Sequence, residues 1–342
     1  PRATSLGGSL PVITTLLPPA AVPQYLRMDR LVPAIERAFA AYETGDAIMP
    51  AKTYIDLPGN EGDFRAMPAY LHVGDWEAAG IKWVNVHPDN PDAHELPTVM
   101  GTMIYSDPET GFPLAVLDGT SLTSYRTGAA AAVATDHLAV ADAGLLGIVG
   151  AGAQAHMQLE AIATVRDIQT VVVCDRDESR VEAFVHAWRD RFEVRGGSIA
   201  EAASCDVLST VTPVRDPIVD RKMIGPGTHV NAMGADAAGK QELDPAILRD
   251  AVLLVDDHEQ ATHSGEVNVP LAIGAIEAED VHGELGAVVT GALAGRTAED
   301  EVTVFDSTGL AIQDVAAAHV AYEAASAAQG GTPIELVGTD LE

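Results

Sequence analysis

The sequence predicts an α/β protein in which a doubly wound parallel sheet is set into a β-rich α+β domain. Three observations predict it. From Gly144 onward, short β-branched apolar runs alternate with helical patterns. Before that point, strand-like runs follow one another with turn residues between them. The chain then closes on a helix that is apolar on more than one side. With 342 residues, 47% of them hydrophobic, it has the length of two domains and ample material for a core.

Taken in order, residues 22–45 read as one or two amphipathic helices with a stop at Gly45. KTYIDL, AGIKWVNV, VMGTMIY and PLAVLDG follow as strands, the last two joined by a hairpin turn at residues 107–111, where Pro108 and Gly111 supply the turn angles. These strands predict a meander. TGAAAAVATDHLAVADA reads as an alanine-rich helix starting near Arg126. LLGIVG, TVVVCD, DVLST, THVNAMG and AVLLVDD are strands whose nearly continuous apolar character suits a sheet covered on both faces. After VTVFDSTG comes the last helix, which packs on the first domain or on another subunit. The expected division is 1–127 plus 308–342 for the first domain and 128–307 for the second.

The formal charge is −30, from 50 acidic and 20 basic side chains, and only Lys52, Lys82, Lys222 and Lys240 are lysines. Such a surface repels nucleic acid and anionic membranes, since phosphate binding needs clustered cations. The acids are dispersed rather than gathered in a tail, which favours adaptation to high salt, where carboxylate repulsion is screened. No apolar run is long enough to span a bilayer, and the first twenty residues, with one positive charge, lack a signal-peptide layout, so a cytoplasmic protein is expected. Cys174 and Cys205 alone make no disulfide framework.

The sharpest motif is LLGIVGAGAQAHMQLEAI. A strand ends at Gly150, Gly152 and Ala155 complete GxGxxA around Ala153 and Gln154, and a helical pattern starts at once. The glycines allow a tight turn and let backbone N–H groups approach a pyrophosphate at the helix's positive end. Asp175, at the end of the next strand, is placed to accept hydrogen bonds from ribose hydroxyls and to repel a 2′-phosphate. The cofactor expected is therefore NAD, with Arg176 and Arg180 nearby as the features that would suit NADP. This makes the parallel-sheet domain a Rossmann domain.

Other residues stand out less sharply. Lys82 lies in an apolar strand of a lysine-poor chain and reads either as a proton-transfer group with a lowered pKa or as a snorkelling lysine at a strand edge. Arg65 and Arg126 suit two-pronged binding of a carboxylate, or surface ion pairs. Asp236 follows a strand at the carboxyl edge of the sheet, where doubly wound folds bind ligands, or it caps a helix. VDDHEQATHSGE gathers Asp256, Asp257, His258, Glu259 and His263, but the two histidines are five apart, so it reads as a solvated acidic loop and no metal is expected. His87 reads as a turn or core histidine, and nothing suggests acyl-enzyme chemistry.

GDFRAMPAY, AGIKWVNVHPDNP, DPETGFPLAVLDGT, YRTGAA, GAGAQA, NAMGADAAGKQELD and FDSTGLAIQD together, in order over about residues 50–325, resemble the ornithine cyclodeaminase/μ-crystallin family and within it the archaeal alanine dehydrogenases. The resemblance implies an NAD-dependent homodimer, joined through its β-rich domains, that oxidatively and reversibly deaminates a small L-amino acid such as L-alanine. It implies Lys82 beside the substrate carbonyl or imine, Arg65 on the substrate carboxylate, and Arg126 on that carboxylate or the cofactor phosphate. Asp236 is implied as catalytic acid/base. Thr210, Thr212, Gly234, Ala235, Lys240 and Ser307 would complete the cofactor or substrate shell. Cyclising members carry an acid where this chain has Arg65, which speaks against ornithine cyclisation. Ornithine cyclisation to proline, cyclic-imine reduction and a cofactor-binding, non-enzymatic role are the alternatives.

Overall fold

The computed structural model describes residues 13–58 and 62–338. Most of the stretch read for a signal peptide thus lies outside the described residues. Among those described, no helix is long and apolar enough to cross a membrane.

The first sheet is built on the expected meander. Strands Asp63–Val73, Trp76–Val86, Val99–Ser106 and Pro113–Asp118 pair antiparallel in sequence order. The hairpin at residues 107–111 forms as expected: Asp107 accepts from the backbone of Glu109 (3.0 Å) and the hydroxyl of Thr110 (2.7 Å), and Gly111 turns left-handed. The fourth strand also pairs in parallel with Thr14–Leu17, which in turn pairs with Thr332–Ile334 near the other end of the chain. Asp63–Val73 is a strand that the sequence reading does not name, and it carries Pro68 at its centre. Pro68 lies opposite the gap between the short edge strands Ala47–Ile48 and Thr53–Asp56, where a missing N–H is tolerated.

One face of this sheet is buried. Met67, Lys82, Met103 and Leu117 form a cross-strand row on it, beneath the helices Met28–Thr44 and Ala311–Ala327. The second of these helices is the expected closing helix, and it packs on the first sheet.

The second sheet is entirely parallel. Its order is Glu193–Gly196, Thr170–Cys174, Leu145–Val149, Val207–Thr210, His229–Ala232, Thr303–Asp306, Val252–Val255, Val281–Glu284. Winding starts at Leu145–Val149, proceeds outward on one side and then on the other. The switch point therefore falls between that strand and Val207–Thr210, where such sheets open a crevice at their carboxyl ends.

Helix Gly119–Leu138 links the sheets. It begins earlier than expected, because Asp118 caps it by accepting from the backbone of Ser121 (2.8 Å) and Thr120 (3.3 Å). Arg126 is thus two turns inside the helix rather than at its start. Residues 129–134, five alanines and a valine, are buried, and their small side chains let neighbouring helices pack close.

Candidate active site at the junction of the two sheets

Two cavities open along the carboxyl edge of the parallel sheet. The first, about 420 Å³, lies between the sheets and is lined by Lys52, Arg65, Lys82, Arg126 and Asp236 together with the glycine turn. The second, about 680 Å³, runs over the switch point past Gly150, Asp175, Arg176 and Arg180. They share Gly152, Val211, Thr212 and Pro213, so one continuous crevice connects them.

The nucleotide-motif side is built by the strand–turn–helix unit. Strand Leu145–Val149 ends, Gly150 takes a φ of +103° that a side chain would strain, and helix Ala153–Ile162 begins. A Cβ on Gly152 would meet nothing within 4 Å, which leaves the turn open to the crevice. Asp175 accepts from the backbone N–H of Ala151 (2.8 Å) and Asp177 (2.9 Å), so its carboxylate is fixed beside the turn.

The other side is built from the meander. Period-two alternation places Lys82 and Val84 on the buried face and Trp83 on the outer one. Lys82 is 1% exposed, and its Nζ donates to Asp314 Oδ1 (2.9 Å) and Thr123 Oγ1 (3.2 Å), with Asp314 Oδ2 at 2.8 Å in the ion pair. Burial pushes its ammonium down to about 7, with Arg126 adding to the shift and Asp314 opposing it. The strand-edge snorkelling alternative is therefore set aside.

Arg126 Nε donates to the same Asp314 oxygen (2.9 Å) and Nη1 to Gln313 (2.9 Å). Arg65 is gripped by Asp63 through Nε (2.8 Å) and Nη2 (2.9 Å), lies over the Tyr54 ring and turns Nη1 towards Asp236 at 3.6 Å. Both arginines are buried, so neither is a surface ion-pair partner. Asp236 stands on an irregular segment and caps no helix. Burial would raise its pKa, but Lys240, at 2.5 Å, with Arg65 and Lys52 holds it below the usual carboxylate range.

Ala153, Gln154, Thr212, Gly234 and Ser307 also line the first cavity, as expected of them. Three expected shell residues stand behind the wall instead. Thr210 is buried and donates to Glu242, because its strand position points into the domain. Ala235 is fully buried, and Lys240 reaches the crevice only through Asp236.

The loop read as solvated and acidic is corrected: Asp256 and Asp257 are buried. Asp256 accepts from Ser307 Oγ and from the backbone N–H groups of Thr308 and Gly309, fixing one wall of the cavity, and Asp257 caps the helix His258–Ser264.

Two lining or supporting charges escaped the sequence reading. Lys52 donates to the carbonyl of Thr308 (2.8 Å), and burial lowers its pKa to about 8. Asp314 had one signal: it is the one acid in the first three turns of a helix made mostly of alanine and other apolar residues.

The sequence model of the ornithine cyclodeaminase/mu-crystallin family matches residues 14–329, the span that carries both cavities. The chain belongs to this family. Among its members, alanine dehydrogenase of Archaeoglobus fulgidus is 48% identical over 94% of this chain and 98% of its own. A solved archaeal alanine dehydrogenase dimer with bound NAD superposes with a TM-score of 0.90 at 47% identity, over 95% of this chain and all of that one. Thermococcus litoralis Δ1-pyrroline-2-carboxylate reductase, solved with NADH and L-proline, gives 0.89 at 35% identity, over 94% of this chain and all of that one.

Proposed function

We propose that the protein is an NAD-dependent dehydrogenase that interconverts L-alanine with pyruvate and ammonia. One observation carries this reading: four cations and Asp236 line a cavity that continues into the crevice over the glycine turn. The residues fit the dinucleotide. The left-handed Gly150, the open Gly152, the fixed Asp175 and the buried, unpartnered Oε1 of Gln154 leave donors and acceptors facing the crevice.

When bound, NAD supplies the acceptor for the hydride that leaves the substrate Cα. Arg65, Arg126 and Lys52 hold the substrate carboxylate and so fix which face of Cα meets the cofactor. Arg65 arrives pre-oriented by Asp63. Loss of the Cα hydrogen leaves an imine; water adds to its carbon and ammonia departs. Lys82, poised near neutrality, takes up and returns the protons of these steps, and Asp236, kept ionised by its cationic neighbours, orients the amino group and the water. Net, the amino acid, NAD and water give the keto acid, ammonium, NADH and a proton.

Purified protein in concentrated salt, supplied with L-alanine and NAD, is expected to accumulate NADH; no NADH from alanine or any small L-amino acid overturns the reading. A second reading, reduction of a cyclic imine, is favoured by the likeness to the pyrroline carboxylate reductase, and NADH consumption with a pyrroline carboxylate but no reaction with alanine would support it. Arg65→Met is expected to raise KM for alanine about a hundredfold, the scale of removing one partner from a buried charge pair, with a smaller change in kcat.

The cofactor preference rests on Asp175. Asp175→Ser is expected to shift the NAD-to-NADP ratio of kcat/KM by at least about tenfold towards NADP, because the like-charge repulsion is lost while Arg176 and Arg180 remain on the same wall. A homodimer formed through the outer face of the meander completes the proposal. Trp83 and Ile104 are large apolar residues left exposed there.

A further inference from the structure

Glu242 carries a charge that the proposed chemistry does not use. Its side chain is fully buried directly behind the place where the two cavities meet. Oε1 accepts from the backbone N–H (2.7 Å) and the hydroxyl (2.6 Å) of Thr212, and Oε2 accepts from the Thr210 hydroxyl (2.7 Å) and the Gly234 N–H (2.9 Å). These four donors occupy the lone-pair positions of an ionised carboxylate, and all of them are neutral. Two of the residues concerned, Thr212 and Gly234, form the cavity wall itself.

Two further acids lie deeper. Glu266 accepts from the backbone N–H groups of Glu242 and Leu243, and Asp306 accepts from that of Val267. Burial raises all three carboxyls. The charge of Glu242 lifts Glu266 well above the usual range and burial pushes Asp306 up to about 8, whereas the donors around Glu242 pull it back. The four donors to its two oxygens favour the ionised form of Glu242.

A buried anion with no cation hydrogen-bonded to it is stabilised by any positive charge that arrives nearby, and the low dielectric prolongs the reach of that attraction. The oxidised nicotinamide ring is a cation, and the reduced ring is neutral. We propose that Glu242 is a positioning residue that fixes the wall between the two cavities through Thr212 and Gly234 and biases the site towards the oxidised cofactor. The inference rests on the NAD reading above. Its consequence is a bound couple with a more negative potential than free NAD, so that the bound reduced cofactor is the stronger hydride donor.

The test is binding rather than turnover. NAD and NADH are titrated separately into the unaltered protein, Glu242→Gln and Glu266→Gln, and binding is read by calorimetry. Glu242→Gln is expected to weaken NAD about tenfold more than NADH. Glu266→Gln, which leaves Glu242 and its four donors in place, should leave the ratio within about twofold. Equal weakening of both forms in Glu242→Gln, or a shift confined to Glu266→Gln, overturns the proposal. A measurement on the unaltered protein covers the case in which Glu242→Gln does not fold. The analogue of NAD with a neutral benzamide ring in place of the pyridinium should bind about tenfold more weakly than NAD, and equal affinity overturns the proposal. If neither NAD nor NADH binds the unaltered protein, the cofactor reading falls and this inference with it.

Discussion

Lys82→Met should lower kcat/KM with alanine by about a thousandfold, the range in which positioned proton transfer operates, while NAD affinity stays close to that of the unaltered protein. Methionine keeps the length and apolar contacts of the lysine stem and removes only the nitrogen. Asp314 retains its bond to Arg126, so the fold is not left with an unpaired buried carboxylate. The pH profile gives an independent check. In the reductive direction Lys82 must arrive protonated; with its pKa pushed down to about 7, kcat/KM for the keto acid should fall as pH rises through that value. The limb should vanish in the methionine variant. A profile flat from about pH 6 to about pH 8 in the unaltered protein would remove Lys82 from this role.

The second large effect concerns Asp314, the residue that binds both Lys82 and Arg126 from the closing helix. Asp314→Asn leaves two buried cations without their anion. Breaking a buried pair in this way costs about 3 to 5 kcal/mol, measurable by denaturant unfolding in the assay salt. The loss should be greater below pH 7, where Lys82 is charged, and smaller above it. Since the Asp314 carboxylate holds the Lys82 pKa up, its removal should also move the activity limb to lower pH. In the Lys82→Met background the same change should cost less, and that difference is the coupling between the two side chains. Full additivity of the two substitutions would show that Asp314 acts through Arg126 alone.

Much of the architecture was legible because it depends on local pattern. The alternation around Lys82, the apolar strands from Leu145 onward and the strand–turn–helix at Gly150 are properties of neighbouring residues, and each appears where its pattern placed it. Lys82 was visible through scarcity, as one of four lysines in the chain. The supporting anions were not. Among 50 acidic residues nothing local distinguishes Glu242 and Asp256 from carboxylates in solvent, since burial of a charge is decided by segments far away in sequence. Asp63–Val73 was hidden for a related reason: Pro68 is compatible with a strand only because of where two other strands stop. Thr210 and Thr212 look equivalent in STVTP, yet one is enclosed within the domain and the other borders both cavities.

The hairpin that carries Lys82 sets a rule for how this site can vary. Strands Asp63–Val73 and Trp76–Val86 are joined by two residues, the first of them Gly74 with a φ of +63°, and Lys82 stands opposite Met67. Substitutions along either strand leave that pairing in place. Insertion or loss of a single residue between the turn and Lys82 would rotate the strand's faces, presenting the Trp83 indole to the cavity and the lysine to the outside. Relatives that keep the chemistry should therefore differ in this stretch by even numbers of residues or by none, and a library built to widen substrate range can randomise the strand's letters freely but not its count.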